Sequence, residues 1–176
     1  MGIWRICEPI LKTGRPGDDK HAAASVRFIL EYRGALKFDR DVLIPVAMMH
    51  DIGHSAILPK HMKLVTGVVK LPNAKLVHML AGAKIAEDLL RQTKYPKKIR
   101  EEIVEIISTH DYDQMEGVDI TTAYDTENKR VWHDIDSLDR FDPKRIGKIL
   151  GVGGKTLAGR KIAAGLKKLL ESFFYD

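Results

Sequence analysis

The sequence predicts an all-α single domain, and three observations carry that expectation. Apolar residues recur at helical spacing along nearly the whole chain. Alternating strand patterns are almost absent. No internal repeat, low-complexity tract or linker divides the 176 residues, and 44% hydrophobic content suffices for one core.

The elements follow in order. A first helix is expected over 18–33, with Asp18 and Asp19 in its first turn and Gly34 after its end. A second runs over 41–51, strained or delayed by Pro45 and ended by Gly53. Residues 55–74 read as a loop with short helical pieces, broken by Pro59, Gly67 and Pro72. Asn73 caps a long helix, AKLVHMLAGAKIAEDLLRQ, and Pro96 opens the next, KKIREEIVEIISTH. A polar loop, DYDQMEGVDITTAYD, precedes a helix from Thr126 to about Phe141. Further helices over 142–176, separated by GVGG, are expected to pack on the core, so that 1–176 is one domain. GVGGKT resembles the end of a phosphate-binding loop, but that pattern needs Gly where Ile149 stands, and the segment follows a helix rather than a strand.

The totals narrow the function classes. A net charge of +5 mildly favours anionic partners. Cys7 is the only cysteine, so no internal disulfide forms and a cytoplasmic setting is expected. The N-terminus MGIWRICEPI lacks the pattern of a signal peptide, and Ile6 stands where a myristoylation motif wants Ser or Thr. No apolar run approaches the ~20 residues that span a bilayer, so no membrane partner is expected.

The chemistry starts at MMHDIGHSAI, residues 48–57, where His50, Asp51 and His54 follow an apolar run. Charge and imidazole in such surroundings need a partner or a metal. Three more histidines lie on apolar helical faces: His21 with Ala24 and Phe28, His78 with Ala81, Ile85 and Leu89, and His110 with Ile99, Ile103 and Ile106. Asp136 lies beside the stripe Val131, Ile135 and Leu138. Singly, each histidine is ordinarily a core residue bonded to a carbonyl, and Asp136 a partner for Arg140. Jointly, four inward histidines and two inward aspartates point to a shared site for Mn, Fe, Co, Ni or Zn.

The order His21, His50-Asp51, His78, His110, Asp136 resembles the HD-domain superfamily of metal-dependent phosphohydrolases. HDIG (50–53) matches its best-known tetrad, HMLAGAKIAEDLL (78–90) the following H-x-x-x-G-A helix, and DIDSLD (134–139) its closing motif. The likeness covers about residues 18–141. Two features depart from the cyclic-dinucleotide phosphodiesterases: His54 replaces a lysine, and no paired histidines or G-Y-P stretch follow His110.

The resemblance implies a helical bundle around two divalent transition metals. His21, His50, Asp51 and Asp136 would hold one, and His78 and His110 the other, with Asp51 bridging. Fe, Mn, Co or Ni is expected, with Mg or Zn as further choices. Asp51 would also orient the nucleophile, and His54 would donate a proton or touch phosphate. Lys60, Lys63 and Lys70 between HDIG and His78, and Arg140, are candidates for binding the phosphate of a small substrate, a nucleotide first. The basic last helix is expected to pack rather than to bind nucleic acid. The same six ligands also occur in di-iron oxygenases of the superfamily, which stay open as the alternative, as does a homo-oligomer. A binding module with a dead site is disfavoured, because no expected ligand is missing.

Overall fold

The structure, a computed structural model, describes residues 2–57, 73–115 and 118–138. Lys60, Lys63, Lys70, Arg140, the GVGG turn and the expected helices over 142–176 lie outside the described residues. Among the described residues the fold is all-α, without strands. The α-helices are α1 (Gly2–Leu11), α2 (Asp18–Glu31), α3 (Arg40–Met49), α4 (Asn73–Gln92), α5 (Lys97–Thr109), α6 (Ile120–Ala123) and α7 (Glu127–Leu138). Two 3-10 turns, Ile52–Ala56 and Tyr112–Gln114, follow α3 and α5. No described helix is long and apolar enough to cross a membrane.

α3 is the central element. Asp39 caps it by accepting the Asp41 N–H at 2.8 Å. Val42, Leu43, Pro45, Val46, Ala47 and Met49 are all buried, so it packs on several sides: against α2, α5, α1 and α7. Pro45 neither delays nor ends it, and the helix starts five residues earlier at Arg40. Pro45 still lacks the N–H that would reach back to Asp41.

Gly53 does not act as a helix stop either. The helix ends at Met49, and Gly53 sits inside the following 3-10 turn, where α4 crosses it. A Cβ on Gly53 would overlap the His78 carbonyl and lie 2.5 Å from the Gly82 amide nitrogen. Only glycine lets the two backbones approach this closely.

Four other differences stand out. Residues 2–11 form a helix that the sequence reading did not anticipate, with Ile3, Cys7 and Leu11 buried at four-residue spacing. α2 ends at Glu31, two residues early, where Tyr32 turns extended at ψ 128°. The polar segment 111–125 holds a 3-10 turn and α6, the latter capped by Asp119, whose carboxylate accepts the Thr121 N–H at 2.9 Å. Pro96 occupies the N-cap of α5 rather than its first turn. At α7, Thr126 Oγ1 accepts the Lys129 N–H at 3.3 Å.

Candidate metal centre

His50 and Asp51 leave the C-terminal end of α3, so their backbone is anchored by the most deeply buried helix. The Gly53–Gly82 crossing then sets His78, one turn before Gly82, beside Asp51. His110 terminates α5, His21 comes from the second turn of α2, and Asp136 from α7. The six residues from five segments thus meet at one place.

Two triads result. The ligand atoms of His21, His50 and Asp136 lie within 4.8 Å of one another, and so do those of Asp51, His78 and His110. His21 Nε2 is 2.9 Å from Asp136 Oδ1, and His50 Nε2 is 3.5 Å from the same oxygen. In the second triad, His78 Nε2 and His110 Nε2 are 3.1 Å apart, at 3.8 and 3.9 Å from Asp51 Oδ1. Asp51 Oδ2 lies 3.3 Å from His50 Nε2, so the carboxylate presents one oxygen to each triad. Asp18, Asp51 and His54 form a third cluster sharing Asp51.

Whether these groups suit a metal is tested by their tautomers. His110 Nδ1 faces the Ile107 carbonyl at 2.8 Å and His50 Nδ1 the Ala47 carbonyl at 3.3 Å. A carbonyl only accepts, so each Nδ1 carries a proton and each ring turns its Nε2 inward. That is how ligating imidazoles are oriented. His50 is 1% exposed, and its Nε2 makes no hydrogen bond, although two carboxylate oxygens lie within 3.5 Å. A buried nitrogen left unsatisfied costs ~1–3 kcal/mol. Imidazole and carboxylate donors suit divalent transition metals. The residues therefore fit the group.

The charges are polarised accordingly. Burial would raise the Asp51 carboxyl, but His50, His54 and Arg15 hold it well below the usual range. Burial likewise opposes Asp136, which the His21 hydrogen bond and the charges of His50 and His110 bring down. Burial lowers His50, yet Asp51 and Asp136 outweigh it and raise the ring overall. His78 falls to about 3, through burial and through His110 and His54.

Four of the six triad residues border a cleft of about 670 Å³, lined by Arg15, Asp18, Lys20, His21, Asp51, Lys75, His110, Asp111, Gln114 and Asp136, among others. That size suits a small molecule. His54 does not line this cleft. Its ring stacks on His78, centroids 4.1 Å apart and planes 8° from parallel, and its Nε2 lies 3.4 Å from Asp51 Oδ1. Among the described residues Asp136 is bonded by His21.

Several cleft residues escaped the sequence reading. Arg15, Asp18 and Lys75 had one local sign between them, the R-P-G-D run that forms a tight turn. Asp111 repeats the His-Asp pairing at His110-Asp111, with its Oδ2 at 3.5 Å from His78 Nε2. Trp132 was not anticipated either, and its ring lies 4.8 Å from that of His50. Tyr124 donates its hydroxyl to the His110 carbonyl at 3.1 Å.

A family model described as the HD domain matches residues 19–143, a span that contains all six residues of the two triads. No curated protein and no solved structure matches the chain. With most of the sequence covered by that model and a buried His/Asp cluster that could hold a metal, the chain belongs to the HD-domain family of metal-dependent hydrolases.

Proposed function

We propose that this protein is a metal-dependent phosphohydrolase that releases phosphate from a small ester, with nucleotides as the first substrates to examine. The observation that carries the reading is the orientation of His50 and His110, whose Nδ1 protons are tied to their own helices while His50 Nε2 turns toward Asp51 and Asp136 and His110 Nε2 toward Asp51. In this reading His21, His50 and Asp136 would hold one divalent ion and Asp51, His78 and His110 a second, with Asp51 also within reach of the first group. Such ions supply Lewis acidity, lowering the pKa of water from ~15.7 to about 7 and withdrawing charge from a phosphoryl oxygen.

The chain's own groups have separate tasks. Asp51 remains ionised at neutral pH and keeps a fixed negative charge at the base of the cleft. Asp136 does the same from α7 and orients His21. His54, stacked beneath His78 and outside the cleft lining, is assigned to positioning Asp51 rather than to contact with substrate. Arg15, Lys20 and Lys75 around the cleft support an anionic substrate.

The test is a phosphatase and nucleotide screen on chelator-stripped protein reloaded with Mn, Co or Ni. Phosphate release is expected with metal, and Asp51→Asn should lower it by at least about a hundredfold, because shape is kept while the ligand's charge is lost. Activity surviving that change overturns the role of Asp51. Oxygen consumption by a reduced iron form, without phosphate release, decides for the oxygenase alternative.

A further inference from the structure

Among the described residues three cations, Arg15, Lys20 and Lys75, border the cleft, and Arg15 and Lys75 are tethered. Arg15 opens a type II turn over Arg15–Asp18: the Asp18 N–H donates to the Arg15 carbonyl at 3.2 Å, Pro16 follows, and Gly17 takes φ 103°, ψ −7°. The Asp18 carboxylate accepts the Arg15 N–H at 3.2 Å and its Nε–H at 3.1 Å. Arg15 Nη2 donates to Asp51 Oδ2 at 2.7 Å. Both acids are buried, yet 54% of the arginine side chain faces water. Lys75 is held the same way, its Nζ 3.3 Å from Oδ2 of buried Asp111, whose other oxygen accepts from Gln114.

A guanidinium has five N–H donors and an ammonium three. These tethers use two of the five and one of the three. Carboxylates therefore fix the position of each cation and leave donors turned to the cleft that also exposes Asp51 and His110.

We propose that Arg15 and Lys75 receive the phosphoryl group of the substrate, Arg15 through its planar fork and Lys75 as a point charge. The proposal rests on the phosphohydrolase reading above. It has a second part, because Arg15 is bonded to the same Asp51 carboxylate that the divalent ions require. The guanidinium competes with a metal for that charge until a phosphate engages it. Metal and phosphate then each strengthen the other's binding, and the coupling is reciprocal.

This makes two effects of opposite sign. In Arg15→Met, Mn affinity measured without substrate should rise about threefold or more, since a competing cation is gone. Affinity of the Mn-loaded chain for inorganic phosphate should fall about tenfold, the loss of one charge-assisted contact. Lys75→Met should weaken phosphate by about fivefold or more. Arg15→Lys keeps the charge without the fork, so it should also lose phosphate affinity, and it decides the matter if Arg15→Met does not fold. Equilibrium dialysis against Mn and against inorganic phosphate reads both affinities.

A purely structural arginine would lower both together, and that result overturns the proposal. So does phosphate affinity within about twofold of the unchanged chain in the Arg15 and Lys75 variants. Ester hydrolysis with unchanged KM in those variants overturns it while leaving the phosphohydrolase reading intact. Phosphate binding that depends on Arg15 and Lys75, without hydrolysis of any ester, sinks that reading and leaves the two cations as a phosphate site.

Discussion

Asp51 accepts a guanidinium on Oδ2 while three imidazoles, of His54, His78 and His110, stand 3.4 to 3.9 Å from Oδ1. Such crowding makes the metal-free chain sensitive to pH, and the signs can be worked out group by group. Asp51 and Asp136 have depressed values, so their contribution is present above the unfolded carboxyl value of about 3.9 and lost as pH falls through the lower folded ones. His78, at about 3, contributes above the unfolded imidazole value of about 6.5 and loses that as pH falls toward 3. His50 is raised, so its share is complete below about 6.5 and lost as pH rises through its folded value. Stability of the metal-free chain should therefore peak near pH ~6.5 and fall steeply below ~4. Urea midpoints across pH 3–8 measure this, and His78→Gln should flatten the stretch between about 6.5 and 3. A midpoint unchanged from neutrality to acid would contradict the assignment.

At the level of elements, the crossing of the first 3-10 turn and α4 controls where His78 stands. Gly53→Ala places a methyl against the His78 carbonyl and should cost about 1–3 kcal/mol, as overpacking does. Gly82→Ala meets neighbours only at 3.3–3.4 Å and should cost less. Thermal denaturation compares the two, and equal losses would place the constraint elsewhere. The same crossing shows what the sequence can disclose. Periodic stripes made α2, α3, α4, α5 and α7 legible, and the inward faces of those helices named all six triad residues. Gly53 was misread as a helix stop because sequence does not reveal what lies opposite a glycine. α1 has its own stripe, Ile3, Cys7 and Leu11, but it is short and carries Pro9. Arg15 and Lys75 were missed for another reason. Their partners Asp51 and Asp111 are each 36 residues away, a pairing that only the packed fold creates.

For the whole molecule, the triads join α2, α3, α4, α5 and α7, so an ion held there would bind the folded chain and not the unfolded one. At a free metal concentration 100 times Kd, that linkage adds about 2.7 kcal/mol. For a chain of this size it corresponds to a Tm rise of roughly 5–10 °C. Differential scanning with Mn, Co or Ni against chelator checks it, and Asp51→Asn should show little of the shift. A Tm indifferent to every metal would remove the basis for the centre.

The bond between His21 and Asp136 joins residues 115 positions apart. During synthesis the chain grows at about 5–20 residues per second, so the imidazole precedes its carboxylate by on the order of 10 s. Throughout that interval His21, and later His50 and Asp51, have been made while the closing aspartate has not. The pair of triads is therefore incomplete until α7 has been made, and an ion held through Asp136 would have to follow that step.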